Sequence, residues 1–388
     1  MKRYSLFSMI KDVKVLDPYT VQINLDYPFG AIAANFAHPA AMMISPKALQ
    51  QYGTQVSQHP DGTGPYEFVK WQDGSDLLVK QNPNYWGQST NVKQIDFKFI
   101  KDAATRTAML QTGQAQFIYP LSTDQVSQLN NQSGITVKTG SSIIVNYLAM
   151  NTTVKPFNDV RVRQALNYAI SKQAYIKVAQ NGYAEPAYSA IAPNVWGYAK
   201  QPLYHQDIAK AKQLLAAAGY PNGFTVTLVS NNASDRVKWD QVVQQELSQV
   251  GIKVNVQPLD GASLTSEVFV PQSQSKMQIY LGEWSPSTGD ADWGLRPLLT
   301  QADFPPVGYN IGYYTDPVVE RAIQGGLETA DPATRMTDYA TAQAQIYKDA
   351  PWVFLSVPQL LYAYRSNVSG ASMLPDGTMY LNGVSFTN

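Results

Sequence analysis

The 388-residue sequence contains no cysteine, which excludes disulfide bonds, thiolate zinc sites and a cysteine nucleophile. Histidine is scarce: there are three, and two of them, His38 and His59, stand directly before proline. We interpret these two and the lone His205 as surface or structural residues rather than catalytic bases. Neither sign of charge is in excess, since 29 Lys and Arg balance 29 Asp and Glu. This balance removes the electrostatic argument for nucleic acid or an anionic membrane as a partner.

Long apolar runs and catalytic motifs are also missing. No stretch approaches the roughly 20 consecutive apolar residues of a membrane span. The HExxH, GxSxG and P-loop patterns are absent, and residues 62–64 lack the third glycine of a dinucleotide fingerprint. Asp290, Asp292 and Glu283 could imitate a catalytic pair, but a glycosidase needs its two carboxyl groups across a sugar from each other. We therefore predict no enzyme, no cofactor and no metal site.

The residues that are present favour a large binding protein. A chain of this length exceeds one ordinary hydrophobic core, so two or more lobes are expected. Aromatic residues make up 11% of the chain, including 24 Tyr and 7 Trp. Most should be core or surface residues, but so many amphipathic rings also suit a cleft that holds small polar ligands.

Helical and strand patterns alternate along the second half of the chain. We predict a helix capped by Asn158, a helix over 207–218, a strand over 224–229, a helix ending at Gly251, a strand over 252–256, helical structure over 316–348 and a strand over 352–364. Nearer the N-terminus, Asp73-Gly74 predicts a hairpin of 66–71 with 77–81, and Gly113 should end a helix over 103–111. This alternation favours an α/β fold with a partly parallel sheet.

Three segments of the chain form a specific combination. They are 62–71 (GTGPYEFVKW) leading into 82–87 (NPNYWG), 155–170 (KPFNDVRVRQALNYAI), and 207–215 (DIAKAKQLL) followed by 218–221 (AGYP). Together they resemble the signature segments of the periplasmic peptide- and nickel-binding proteins of bacterial ABC importers. The similarity follows the same order over nearly the whole chain.

A further segment resembles the glutathione-binding branch of that family. It comprises 284–293 (WSPSTGDADW), 295–298 (LRPL) and 304–306 (FPP) before Tyr309-Asn310. Dipeptide binders of the family usually have an Asp where this chain has Ser287. This departure argues against a dipeptide binder in which an Asp binds the free amine of the ligand.

The resemblance implies the two-lobed α/β fold of peptide-binding periplasmic proteins, of the cluster C type, with mixed sheets and a hinge between the lobes. The expected domains are 1–58, the remnant of a small subdomain of lobe I; 59–150, lobe I; 151–350, lobe II; and 351–388, the C-terminal return to lobe I. Hinge closure would trap the ligand between the lobes.

Against the family pattern, the chain opens inside the small subdomain. Family members carry a signal peptide and further residues before the point that matches Met1. We expect a truncated chain or a start assigned to an internal Met, with a signal peptide or lipid-anchor cysteine lost. Periplasmic localisation is expected from the resemblance.

The resemblance also implies ligand-binding residues, each with a structural alternative. Arg296 would bind a ligand carboxylate, or would instead brace the second lobe. Asp290 or Asp292 would receive an ammonium group, or would instead cap a helix or form a turn. Tyr147 matches a family position that faces the ligand, with a core tyrosine as the alternative.

The Trp284 segment would supply the uncharged contacts. Trp284 would form a wall of the cleft, with core packing as the alternative, and Ser285 belongs to the same candidate set. Ser287 and Thr288 offer hydroxyl groups and, together with Gly289, backbone N–H groups that suit an anion.

These residues lead to one main functional hypothesis. We expect a monomeric substrate-binding component of an ABC importer that captures glutathione or a similar small peptide and delivers it to permease subunits in the inner membrane. A general dipeptide or oligopeptide binder is the alternative within the family. A hydrolase and a chemoreceptor-binding interaction module are alternatives from other classes.

Overall fold

The computed structural model describes residues 2–88 and 91–387. Its helices are α1 (Ile32–Phe36), α2 (Pro46–Tyr52), α3 (Ala103–Thr112), α4 (Val126–Asn130), α5 (Val160–Ala169), α6 (Lys172–Ala179), α7 (Ile208–Ala217), α8 (Ser234–Ser248), α9 (Gly261–Val268), α10 (Ala291–Leu299), α11 (Pro317–Leu327) and α12 (Pro332–Asp349). Within this described part, no helix combines the length and apolar character that crossing a membrane requires.

The strands, in chain order, are β1 (Ile10–Asp17), β2 (Thr20–Leu25), β3 (Tyr66–Gln72), β4 (Asp76–Gln81), β5 (Gln94–Lys98), β6 (Phe117–Ile118), β7 (Ile135–Gly140), β8 (Val145–Met150), β9 (Ala184–Pro186), β10 (Thr225–Asn231), β11 (Lys253–Leu259), β12 (Ile279–Trp284), β13 (Trp352–Pro358), β14 (Leu360–Arg365), β15 (Val368–Ser369), β16 (Ser372–Met373), β17 (Met379–Tyr380) and β18 (Ser385–Phe386). The chain divides into two compact units. Unit 1 comprises Met1–Ala40 and Ser142–Pro358, and unit 2 comprises Ala41–Ser141 and Gln359–Asn388.

Unit 1 is built on a six-stranded mixed sheet of order β11-β10-β12-β8-β13-β9. Strand β10 is parallel to both β11 and β12, because helices α8 and α9 provide the long crossovers that parallel neighbours need. Strands β8, β13 and β9 are antiparallel to their neighbours. The expected partly parallel sheet is therefore present.

Helices cover both faces of this sheet, and alternate residues of each strand point to opposite cores. On β8, Leu148 and Met150 join helices α5 to α8 in one core, which we call the α5–α8 core. Tyr147 and Ala149 join helices α10 to α12 in the other, which we call the α10–α12 core. Burial on both faces explains why β8 has no exposed residue.

The N-terminal residues of unit 1 form the β1–β2 hairpin and helix α1. Met9, Phe29 and Ala31 pack with Leu327 of α11 in a small apolar cluster. Gly30 is required there, since a Cβ at this position would lie 2.2 Å from the carbonyl oxygen of Thr329. Residues 1–40 thus group with 142–358, whereas the family pattern assigned 1–58 to lobe I.

The other expected domain boundaries also differ from the division into units. Strands β8 and β13 lie next to each other in the sheet of unit 1. The division therefore falls at 141/142 and 358/359 rather than at the expected 150/151 and 350/351. The lobe assignment itself stays a prediction.

Unit 2 contains two three-stranded sheets and two small strand pairs. One sheet has the order β3-β4-β5, and its predicted hairpin turns at Gly74 with a φ of +70°. In the other, β14 lies between β6 and β7 and pairs antiparallel with both. The strand predicted over 352–364 is thus two strands, one in each unit, separated by Gln359.

Several helix ends follow the local sequence signals, but the cap of α5 differs from the prediction and α8 ends at Ser248, before the predicted Gly251. The carboxylate of Asp207 accepts the N–H of Lys210 at 2.8 Å and caps α7. Gly113 ends α3 in the left-handed conformation, as predicted. The cap of α5 is Asp159 rather than the predicted Asn158, because it is the Asp159 carboxylate that accepts the N–H of Arg161 at 2.8 Å.

Candidate functional site

The carboxyl ends of the parallel strands of unit 1 lie along one edge of the sheet. Strand β10 ends at Asn231 and is followed by α8, and β12 ends at Trp284 and is followed by the predicted ligand-binding segment. In open α/β sheets, ligands bind outside the carboxyl ends of the strands. This edge of unit 1 is therefore the candidate site.

Asp292 and Arg296 face each other one turn apart on α10. Nε of Arg296 lies 2.7 Å from Oδ1 of Asp292, and Nη2 lies 2.9 Å from Oδ2. The Asp292 side chain is fully buried and that of Arg296 is 14% exposed. Burial lowers the pKa of Arg296, but the attraction of Asp292 outweighs it and raises the pKa above its usual value. This geometry agrees with the bracing alternative, and a ligand contact of Arg296 stays a prediction.

Asp290 is the N-terminal cap of α10 and also an ion-pair partner. Its Oδ1 accepts the N–H of Asp292 at 2.9 Å. Nη2 of Arg335 contacts both carboxylate oxygens of Asp290, at 2.9 and 3.0 Å, and the guanidinium lies 4.3 Å over the ring of Trp196. Burial raises the pKa of Asp290 despite this partner. Both carboxylates expected to receive an ammonium group are therefore already paired within unit 1.

The turn between β12 and α10 holds the uncharged candidates. Trp284 is half-buried, donates its indole N–H to the carbonyl of Trp293 at 2.9 Å, and has its ring centroid 5.0 Å from that of Tyr309. The Gly289 N–H donates to the Pro286 carbonyl at 2.7 Å, so this N–H is not oriented for an anion.

Hydroxyl groups follow Trp284 in the turn. Thr288 accepts the N–H of Asp290 at 3.3 Å, and Ser285 is partly exposed. The Oγ of Ser287 is buried and has no hydrogen-bond partner within residues 2–88 and 91–387. A buried hydroxyl without a partner is costly, so Ser287 is the candidate of this turn with unused hydrogen-bonding capacity.

Tyr147 lies in the interior of unit 1. Its ring stacks on Trp352 with centroids 3.9 Å apart and an interplanar angle of 7°. Burial raises the pKa of the Tyr147 hydroxyl well above its usual value. The structure thus agrees with the core-tyrosine alternative for this residue.

A charged pair at the same sheet edge was missed by the sequence analysis. Nη2 of Arg236, in the first turn of α8, lies 2.6 Å from Oε2 of Glu283 on β12. The Arg236 guanidinium also lies 3.9 Å over the ring of Trp239. Its side chain is 15% exposed, whereas that of Glu283 is 43% exposed. One signal was available in the sequence: Arg236 lies in the first turn of the helix that follows the strand predicted over 224–229.

The surroundings of Arg236 are polar although they are buried. Oδ2 of Asp240, one turn along α8, accepts the hydroxyl of Ser230 at 2.6 Å. Nη1 of Arg236, Oδ1 of Asp240 and the hydroxyl of Tyr175 are buried without a hydrogen-bond partner among the described residues. Burial raises the pKa of Asp240 to about 6, against the opposing effects of Ser230 and Arg236. At the candidate site, the α5–α8 core is therefore bordered by buried polar groups, which we call the polar layer: those of Tyr175, Ser230, Arg236 and Asp240.

This polar layer continues across the sheet. Glu283 stands opposite Asn146 on β8, and Asn146 stands opposite Ser356 on β13. The amide of Asn146 donates to the Ser356 hydroxyl at 3.2 Å. The described part of the chain contains no cluster of three or more His, Cys, Asp or Glu that could hold a metal ion.

Comparison with known proteins gives the family. Residues 1–305 match the model of the bacterial extracellular solute-binding proteins, family 5 middle. The chain is 42% identical over 379 residues to the glutathione-binding protein GsiB of Pectobacterium atrosepticum, an alignment that covers 97% of this chain and 74% of that protein. The Salmonella typhimurium protein of the same name is 40% identical over 380 residues, with the same coverage.

Solved structures of periplasmic binding proteins superpose on this chain over nearly its whole length. The periplasmic binding protein DppA of Helicobacter pylori, described as ABC-transporter-associated and in complex with the peptide STSA, is 27% identical. It superposes with a TM-score of 0.87 over 98% of this chain and 76% of that one. NikZ of Campylobacter jejuni, 23% identical, has a TM-score of 0.87 over 97% and 78%. The predicted α/β periplasmic-binding-protein fold with mixed sheets is confirmed.

These findings also confirm the predicted class and the prediction that the chain is not an enzyme. The chain belongs to family 5 of the bacterial extracellular solute-binding proteins, the substrate-binding components of ABC importers.

Proposed function

We propose that this chain captures glutathione or a similar γ-linked peptide in the periplasm and delivers it, as a monomer, to permease subunits in the inner membrane. The observation that carries the proposal is the identity of 40 to 42% over 97% of the chain to proteins named for glutathione binding. Similarity over this length covers the sheet edge at which the candidate site lies.

The charges of glutathione set the requirements for the site. The molecule carries two carboxylates, one ammonium group and two amides. Each charge that leaves water needs a partner, since an unpaired buried charge costs several kcal/mol. Arg236, 15% exposed, and Glu283, 43% exposed, offer one charge of each sign at the sheet edge.

The 284–296 segment contributes in two ways in this proposal. Trp284 forms a wall of the site, and Ser285, Ser287 and Thr288 contribute hydroxyl groups. Asp290, Asp292 and Arg296 hold the segment in position through their ion pairs, and Tyr147 supports β8 from the α10–α12 core. The side chains that contact the ligand need rigid support, because the affinity for the ligand falls when these side chains must become ordered on binding.

A general peptide binder is the second candidate. The DppA structure, 27% identical to this chain, holds the peptide STSA. This candidate predicts similar affinities for glutathione and for ordinary α-linked peptides.

Titration calorimetry on the 388-residue chain separates the two candidates. We expect reduced glutathione to bind at least about 10-fold more tightly than an Ala-Ala dipeptide, a difference of 1.4 kcal/mol. Trp284→Ala should weaken glutathione binding by about 10-fold or more. Trp86→Ala is the matched control, since Trp86 is 82% exposed in unit 2. Equal binding of the two ligands supports the general binder, and no binding of glutathione rejects the proposal.

A further inference from the structure

We propose that the Arg236–Glu283 pair binds the amino-acid head group of a γ-linked peptide, with the ligand carboxylate on Arg236 and the ligand ammonium on Glu283. This inference rests on the proposed function and specifies which part of the ligand is recognised. A γ-glutamyl residue carries its free ammonium and free carboxylate on one carbon atom. An α-linked peptide instead separates its terminal charges by the length of the peptide.

The first step is the availability of Glu283. Among the three acidic residues of 283–292, Asp290 and Asp292 each bring both carboxylate oxygens to an arginine and are buried. Glu283 makes one contact with Arg236, through Oε2, and its side chain is 43% exposed. Glu283 is therefore the carboxylate of this segment that an ammonium group can reach from solvent.

The second step is the rigid placement of Arg236. Its guanidinium is held over the Trp239 ring, and its side chain is 15% exposed. Burial lowers the pKa of Arg236, but the charge and hydrogen bond of Glu283 outweigh it and raise the pKa. A charged guanidinium that is already oriented can receive a carboxylate at a lower entropy cost than a mobile one.

The third step is charge balance. The Arg236–Glu283 pair is neutral, and so is an amino-acid head group with one ammonium and one carboxylate. Exchanging the single contact of the pair for two contacts with the ligand leaves no charge without a partner. A carboxylate arriving without an ammonium would meet the negative charge of Glu283 at close range, which disfavours it.

The test compares ligands that differ only in the head group. Glutathione and its α-linked isomer, α-Glu-Cys-Gly, have the same atoms and charges. We expect the wild-type chain to bind glutathione at least about 10-fold more tightly than this isomer in titration calorimetry. N-acetylglutathione, which lacks the ammonium, should also bind about 10-fold more weakly.

A variant identifies the residue that binds the ammonium. In Glu283→Gln, glutathione should lose about 10-fold in affinity, and N-acetylation should then change the affinity by less than about 2-fold, as expected for a coupled pair. Glu67→Gln is the matched control, because Glu67 is 37% exposed and paired with Lys80 at 3.1 Å. This control should keep the wild-type ratio of the two affinities.

Three outcomes overturn the inference. One is equal binding of glutathione and the α-linked isomer by the wild-type chain, a result that needs no variant; the proposed function still stands if glutathione binds at least about 10-fold more tightly than Ala-Ala. Another is a Glu283→Gln chain that keeps the wild-type loss on N-acetylation. The third is tighter glutathione binding by Glu283→Gln, which would make Glu283 only a competitor for Arg236. Absence of glutathione binding by the wild-type chain instead rejects the proposed function.

Discussion

Two sets of ion pairs in unit 1 use the same residue types and differ in almost everything else. Around α10, Asp292 pairs with Arg296 and Asp290 with Arg335, and in each case both carboxylate oxygens are bonded and buried. At the sheet edge, Glu283 meets Arg236 through one oxygen and remains half-exposed. The charges of the sequence motif are thus paired internally, whereas the carboxylate of Glu283 remains open to solvent beside an Arg236 that is 15% exposed.

The energetic consequences of this difference are large. Removing one partner of a buried pair costs about 3–5 kcal/mol, because the other charge is left without compensation. Removing a half-exposed partner such as Glu283 costs less, since water can take its place beside Arg236. Ion pairs whose separation costs much free energy hold the protein structure in place. A charge that water can reach, such as that of Glu283, can instead form its ion pair with a ligand.

The largest effect is expected for the α10 pair. Asp292→Asn leaves the Arg296 guanidinium without its carboxylate and should reduce the free energy of unfolding by about 3–5 kcal/mol. Urea denaturation of the wild-type and variant chains measures this loss. A loss below 1 kcal/mol would contradict the assignment of this pair as a structural brace.

The second prediction concerns Asp240, a buried carboxylate beneath the open pair. Its pKa of about 6 in the folded chain exceeds the usual 3.8, so the folded state binds this proton more tightly than the unfolded state. The contribution of Asp240 to stability is therefore present at low pH and is lost as pH rises from about 4 to 6. At 1.36 kcal/mol per pKa unit, the loss is about 3 kcal/mol.

Asp240→Asn isolates this effect. The variant should lack this part of the pH dependence and should be more stable than wild type at pH 7. Urea denaturation at pH 4, 5, 6 and 7 measures it, with Asp61→Asn as the control, since the Asp61 side chain is exposed. Identical pH profiles for wild type and Asp240→Asn would contradict the assignment.

The smallest effect on stability is expected at the open pair. Glu283→Gln should reduce the free energy of unfolding by about 1–3 kcal/mol, less than Asp292→Asn, because Arg236 is 15% exposed and loses its carboxylate, but Glu283 is half-exposed and water can take its place. The same denaturation experiment measures it beside Asp292→Asn. A loss as large as that of Asp292→Asn would remove the difference between the two sets of pairs.

Elements whose signals are local could be predicted well. The β3–β4 hairpin depends on the turn at Gly74, and α7 depends on a capping carboxylate, Asp207, three residues before the N–H that it accepts. The spacing of Asp292 and Arg296 is also local, since residues four apart meet on one helix face. Elements that depend on distant partners were predicted less well: the helical stretch over 316–348 is two helices, α11 and α12, and the strand over 352–364 is divided between units.

The sequence alone determined the family, the absence of thiol chemistry and the local elements, because motifs, composition and contacts within one turn are written in consecutive residues. Only the tertiary structure decided which charges are paired. Asp290 meets Arg335 and Glu283 meets Arg236 across separations of more than 40 residues, where no spacing rule applies. Burial, which separates a structural ion pair from an exchangeable one, arises only when sheet and helices pack together.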